Sequence, residues 1–278
     1  MEPRLVAEGL QLGESPRWHD GRLHLSDWGA RKLLAIDDDG RVEVLASIDA
    51  IPFSFDFLPD GRMALLAGTT LSIRRQDGGF ARHADLASLS PKPWNEIVAD
   101  GSGRLYVNTI GFDFPGGEFR PGLVASVGPD GSVRQEADDV AFPNGMAIDG
   151  AGTMLVLAES YGSRLTSFAI GSDGSLDGRR PHAVLPGFHP DGISMDAEGA
   201  VWFADVPGRC CVRVLPDGSI AERIDVDRGC FACMLGGEDG RTLFIVAADW
   251  QGPQAIGRTG PTGRVLAARV PVAHAGRP

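Results

Sequence analysis

One unit recurs through this chain every 40 to 49 residues: an Asp- or Gly-containing turn followed by a short apolar run. Its copies include HDGRLHLSDW (19–28), PDGRMALLAG (59–68), ADGSGRLYVN (99–108) and MDAEGAVWFAD (195–205). The anchor aspartates are Asp20, Asp60, Asp100, Asp149, Asp196 and Asp239. Each unit carries a second turn further on: Asp39-Gly40, Asp77-Gly78, Asp130-Gly131, Asp173-Gly174, Asp217-Gly218 and Thr262-Gly263. Asp-Gly turns between apolar runs read as hairpins. Each unit therefore supplies about four strands, which is the size of one propeller blade. Six units predict an all-β, six-bladed β-propeller occupying residues 1–278 as a single domain, with a central channel. The segment PRLVAEGL near the start is placed to pair with the last blade and close the ring.

Bulk properties narrow the function. A net charge of −11 argues against a nucleic-acid surface and against an anionic membrane surface. No apolar run reaches the length of a membrane span. The start MEPRLVAEGLQLGESP has no apolar core, so no secretory signal is expected and the expected compartment is cytoplasmic. Reduced thiols follow for Cys210, Cys211, Cys230 and Cys233. Cys230 and Cys233 have CxxC spacing but lack the partner half of a zinc or redox motif.

Equivalent positions can be compared within the repeat. Five residues before each anchor stand Phe55, Asn95, Asn144, Asp191 and Met234; in the first unit Ser15 is five back and Glu14 six. In a propeller these points converge on the central channel. Glu14, Asn95, Asn144 and Asp191 then make a ring of hard oxygen donors suited to Ca²⁺, Mg²⁺ or Mn²⁺, with Zn²⁺ less natural without His or Cys. Phe55 and Met234 would line an apolar side of the same channel. Asn108, in LYVNT, could also point into it. Any one of these Asx residues alone also reads as ordinary turn text. The third unit carries an insert, residues 110–122, with Phe112, Phe114 and Phe119. Long loops on rigid scaffolds often bind ligands, so it reads as a wall or lid. No nucleophile competes: Ser15 lacks a G-x-S-x-G context, and no histidines share metal spacing.

GESPRW around Glu14, FPNGMAID around Asn144 and HPDGISMDAEGAVWFAD around Asp191 resemble three motifs of the senescence-marker-protein/gluconolactonase/luciferin-regenerating-enzyme family, which includes regucalcin. The resemblance covers essentially the whole chain. It implies a propeller holding one divalent cation, Ca²⁺ first with Mg²⁺, Mn²⁺ or Zn²⁺ as alternatives. Glu14, Asn144 and Asp191 would be the metal ligands, and Asp191 also the general base. Asn95, in PWNEIVAD, corresponds to a substrate-contacting Asn. Glu118 could replace a substrate-binding Glu of the family. One departure stands out: sugar-lactone members have Arg two residues before that Asn, where this chain has Pro93. The implied activity is metal-dependent hydrolysis of a sugar or other lactone, with a small-molecule substrate. The alternatives are a same-fold enzyme acting on a non-sugar ester, phosphotriester or specialised metabolite, and a non-catalytic calcium-binding propeller.

Overall fold

The computed structural model describes residues 2–256, 258 and 260–276. Strand β1 (Arg4–Leu10) precedes five four-stranded units and a sixth of three strands. Blade one is β2 (Gly13–His19), β3 (Arg22–Asp27), β4 (Lys32–Ile36) and β5 (Val42–Ser47). Blade two is β6 (Phe53–Phe57), β7 (Met63–Ala67), β8 (Thr70–Arg74) and β9 (Phe80–Asp85). Blade three is β10 (Glu96–Ala99), β11 (Leu105–Thr109), β12 (Gly122–Val127) and β13 (Val133–Val140). Blade four is β14 (Pro143–Ile148), β15 (Met154–Glu159), β16 (Arg164–Ile170) and β17 (Leu176–Val184). Blade five is β18 (Pro190–Met195), β19 (Val201–Asp205), β20 (Cys210–Val214) and β21 (Ile220–Asp225). Blade six contains β22 (Gly229–Gly236), β23 (Thr242–Ala248) and β24 (Gly263–Arg269), and β1 supplies its fourth strand. All pairings are antiparallel, and Leu5 lies opposite Leu266.

The burial pattern explains this architecture. Innermost strands such as β10, β14 and β22 are buried at every residue, so their sequences are nearly continuous apolar runs. Outermost strands such as β13 and β21 are largely exposed and rich in charge, which protects sheet edges from further pairing. The core lies between blades: Leu66 and Leu71 of blade two pack with Trp94, Ile97 and Val107 of the blade-three side. The anchor aspartates are turn residues in the physical sense. Asp60 Oδ1 accepts the Arg62 N–H at 3.0 Å, Asp196 Oδ1 accepts Glu198 N–H at 2.9 Å, and Asp239 Oδ1 accepts Arg241 N–H at 3.0 Å. These turns lie on one face of the ring and the starts of the inner strands on the other. Among the described residues the sole helical element is a 3-10 turn, Pro253–Ala255, and no helix is long and apolar enough to cross a membrane.

Candidate active site

The starts of the inner strands carry the candidate site residues. In β2, β14 and β18 the ladder slips by one residue: between Glu14 and Arg17, between Pro143 and Met146, and between Pro190 and Ile193. These are β-bulges, which re-aim side chains and recur beside active sites. Glu14, Asn144 and Asp191 sit in or at the edge of them. In the first bulge Ser15 holds a positive φ of 48°. The residues after the other two candidates are Gly145 and Gly192. A Cβ on Gly145 would lie 2.6 Å from Ile193 N, and one on Gly192 would lie 2.5 Å from Ala232 Cβ. Inner strands can approach this closely only without side chains at those two places.

The ladder also corrects the register read from the turns. The inner strands end in pairs His19–Arg22, Asp149–Met154 and Asp196–Ala200. Glu14, Asn144 and Asp191 each lie five residues before the first member of such a pair. The apparent slip at Glu14 therefore lies in a shorter turn and not in the strand. The same count from Leu58, whose N–H meets Arg62 O, less the one bulge residue that blade two lacks, reaches Ser54, which lies opposite Leu66 as Glu14 lies opposite Ser26. From Gly236, paired with Thr242, the full count reaches Phe231. Phe55 and Met234 are not the equivalent positions: Phe55 packs in the core with Phe53 and Met63, and Met234 packs with Phe244 between blades six and one. Turn lengths differ between blades, so counting from the aspartates displaced both.

Each bulged blade of this trio has a second shared feature. The carboxylate ending its second strand holds the chain that enters its inner strand. Asp27 accepts the N–H groups of Gln11 at 2.9 Å and Leu12 at 3.0 Å. Glu159 accepts Ala141 N–H at 2.8 Å and is bound by Arg164 at 2.7 and 2.9 Å. Burial alone would raise the Glu159 pKa, but Arg164, Ala141 and Thr166 together bring it below the ordinary value. Asp205 accepts His189 N–H in a longer contact, 3.4 Å.

The electrostatics of the mouth are unbalanced. Arg17 of β2 reaches across the axis: its guanidinium donates to Ile97 O at 2.5 Å, and lies 3.2 Å from Asp56 and 3.6 Å from Glu96. Ser15 Oγ also donates to Glu96. Arg17 thus serves Asp56 and Glu96, and neither Glu14 nor Asp191 forms an ion pair among the described residues. Burial, then the charges of Asp191 and Glu96, push the Glu14 carboxyl well above its ordinary range. Burial, then Glu96, push Asp191 up as well, partly opposed by a hydrogen bond from Asn144. Asp191 Oδ1 is buried without a hydrogen-bond partner, and so is Asn108 Oδ1.

The amide side chains line the same region. Asn144 Nδ2 makes a 3.4 Å contact with Ser160 Oγ, which itself donates to Pro190 O at 2.8 Å. Asn108 Nδ2 donates to Asn144 O at 2.7 Å, and Asn95 Nδ2 reaches Pro143 O at 3.4 Å. Asn95 and Asn108 are thereby brought beside Asn144. Glu118 is not: it is exposed on the insert and makes no hydrogen bond or ion pair among the described residues. Glu96, Arg17 and Asp56 were missed from the sequence. The available signal was a charged residue inside an inner strand that should be apolar throughout, as in FSFDF and NEIVAD.

A cavity of about 10 Å³ lies between Ser15, Glu96, Gly145, Gly192 and Cys233. A much larger one, about 1220 Å³, lies between blades one and two, beside His19, Arg22, His24, Phe57 and Arg74. It includes none of the central carboxylates Glu14, Glu96 or Asp191. Cys210, Cys211, Cys230 and Cys233 are all buried free thiols, and burial pushes Cys210 up to about 12. A thiol so held is inert as a nucleophile.

The donor set can be tested against a metal. Among the described residues no three His, Cys, Asp or Glu side chains gather at metal-ligating spacing, so a cation here must draw on amide oxygens as well as carboxylates. Those present fit that requirement: two carboxylates without a cationic partner, and an orphaned Asp191 Oδ1 beside the Asn144 amide. Hard oxygen donors of this kind suit Ca²⁺ or Mg²⁺.

Fold and site together define a six-bladed propeller with an acidic, oxygen-lined mouth on the face where its inner strands begin. The chain belongs to the SMP-30/gluconolactonase/LRE-like family, whose pattern matches residues 12–249. It is 27% identical to the pentonolactonase XacC of Haloferax volcanii, over 99% of this chain and 96% of the relative. It is 25% identical to a 6-deoxy-6-sulfogluconolactonase of Pseudomonas putida, over 88% of this chain and 86% of that protein. In three dimensions it resembles the calcium-binding protein regucalcin of Agrobacterium tumefaciens, with a TM-score of 0.83 and 21% identity, covering 98% and 95% of the two chains.

Proposed function

We propose that this protein is a divalent-cation-dependent lactonase. The observation that carries the reading is the pair Glu14 and Asp191, buried together with no ion-pair partner among the described residues to balance them. Uncompensated buried carboxylates are costly, and one divalent cation would neutralise both. Glu14, Asn144 and Asp191 would hold that cation, with Ca²⁺ favoured by the all-oxygen set. The lactonase relatives support the reaction class. When bound, the cation supplies Lewis-acid polarisation of the lactone carbonyl and acidifies water beside it.

The chain's own residues supply the remainder. The Asn95 and Asn108 amides stand where they can orient the lactone ring by hydrogen bonds. Asp191 accepts the proton of the attacking water at its unpartnered Oδ1. Water adds to the carbonyl carbon, the ring C–O bond breaks, and the released alkoxide takes a proton to give the hydroxy acid. Arg17 holds Glu96 and Asp56 in place and keeps their charge from adding fully to the cluster.

The test combines elemental analysis of the purified protein with a pH-indicator assay on a panel of lactones, esters and phosphotriesters. Stoichiometric divalent metal, and lactone turnover lost to chelator and to Asp191→Ala, are expected. Full turnover by metal-free protein would sink the reading. Tight metal binding with no turnover on any substrate would instead favour a non-catalytic cation-binding role, as the calcium-binding structural relative suggests.

A further inference from the structure

Five aromatic rings meet on the face of the propeller that carries the carboxylates. Phe112, Phe114 and Phe119 come from the blade-three insert; Phe142 and Tyr161 come from blade four. Phe142 stacks on Tyr161 with centroids 4.4 Å apart. Phe114 meets Phe142 edge-on at 5.2 Å, Phe112 meets Phe142 at 5.8 Å, and Phe119 lies 5.8 Å from Tyr161. Three of these rings stay open to solvent: Phe114 is 41% exposed, Phe119 48% and Tyr161 52%. A lone exposed ring is unremarkable, but a contiguous exposed apolar patch marks a binding surface.

The patch is physically continuous with the site. Phe142 stands two residues before Asn144, at a φ of 59° that bulky side chains rarely adopt. Tyr161 follows Ser160, whose hydroxyl contacts Asn144 and binds Pro190 O. The Ser160 and Tyr161 N–H groups are in turn fixed to Phe142 O and Ala141 O at 3.1 and 3.2 Å. The insert is itself tied down: Lys92 bridges to Asp113 at 2.6 Å, and Gly117 N–H donates to Asp113 O at 2.7 Å. The rings are therefore part of the rigid mouth.

We infer that this aromatic platform receives an aryl substituent of the substrate, so that the preferred lactone carries an aromatic group and not a chain of hydroxyls. The inference rests on the lactonase reading above and deepens it. Aromatic faces and edges reward a ring laid against them. Hydroxyl groups set against the same surface would lose water without gaining partners. The polar amides of Asn95 and Asn108 sit at the deep end, where they serve the reacting lactone and not its substituent.

The experiment compares phenyl-substituted δ-valerolactone, unsubstituted δ-valerolactone and glucono-δ-lactone as substrates of the calcium-loaded protein. The expected result is a kcat/KM at least about tenfold higher for the phenyl compound than for either other, in line with the burial of one aromatic ring. Tyr161→Ala and Phe119→Ala should each lower the phenyl value by about threefold to tenfold and move the unsubstituted value far less. Tyr161→Phe should restore it. Equal rates on all three lactones, or a preference for the glucono compound, overturns the inference while leaving lactonase activity intact. If no lactone is turned over, the lactonase reading fails, and binding of phenyl-substituted δ-valerolactam by calorimetry decides the platform separately. Binding that weakens in Tyr161→Ala supports it; no preference over unsubstituted lactam overturns it.

Discussion

Blades one, four and five differ from blade two in two features that travel together. Each of the three enters its inner strand through a bulge, and each ends its second strand in a carboxylate that grips the entering chain. Blade two has an unbroken ladder between β6 and β7 and ends β7 with Ala67. The three gripped bulges present Glu14, Asn144 and Asp191, whereas blade two has the small, uncharged Ser54 at that level. Blade six separates the two features: it has a bulge at Phe231 but ends β23 in Ala248, and its mouth position is apolar. A bulge alone is thus compatible with packing. A bulge with a carboxylate clamp accompanies each of the three candidate ligands.

The sharpest way to break this comparison is Asp191→Ala. Turnover should fall by about 10³-fold with the fold retained, because on the proposed reading it removes both a donor and the base. Activity within tenfold of the parent, measured on folded protein, would separate the bulge from the chemistry. Asp27→Asn tests the clamp. Asp27 touches no proposed ligand directly, so its loss should weaken calcium affinity by about 10- to 100-fold, as for other residues that orient ligands. Calorimetric titration reads this, and unchanged affinity would reduce Asp27 to a folding role. Gly192→Ala forces a methyl group onto Ala232 and should cost about 1–3 kcal/mol in denaturant unfolding. Gly101, with open space around it, should tolerate the same change to within about 0.5 kcal/mol.

The pH dependence of stability follows from the same pair. The folded pKa values of Glu14 and Asp191 lie above their ordinary values of 4.5 and 3.8. Without metal, their contribution is fully present below the ordinary range and is lost as pH rises through the raised values. Chelated protein should therefore melt at progressively lower temperature relative to calcium-loaded protein as pH rises from about 4 to about 8. A constant gap would show that the two carboxylates do not share a cation. The smallest effect is expected in blade two. Asp60→Asn, at an exposed turn, should shift stability by no more than about 0.5 kcal/mol and leave calcium affinity alone.

The repeat made the propeller legible, because five of the six anchor aspartates, all but Asp20, pin their own turn whatever surrounds it. Ring closure was legible for the same reason: blade six lacks a fourth strand of its own, and PRLVAEGL supplies it. Glu14, Asn144 and Asp191 could be aligned because the bulge adds the same single residue in each blade. Ser54 and Phe231 could not, since the count depends on the presence of a bulge and on turn lengths that vary from two residues after His19 to four after Asp149. Arg17 and Glu96 escaped for another reason. Their importance is a matter of charge balance across the axis, between strands about 80 residues apart, and no local pattern records it. The aromatic insert was visible as composition, but its partners Phe142 and Tyr161 lie in a different blade.

Blade six stands between blade five, which carries Asp191, and blade one, which carries Glu14, and it is assembled from both ends of the chain. During synthesis β1 emerges before the blades and has no partner until β24 appears. At about 5–20 residues per second, that wait lasts roughly 10–50 s. Only when β1 and β24 meet are the blades that carry the two carboxylates held in one closed ring. A truncated nascent chain can fold blades, but it cannot build the complete charge cluster. On the proposed reading, cation affinity requires that β24 has paired with β1, and the cation would act as a seal that favours the closed ring over any open one.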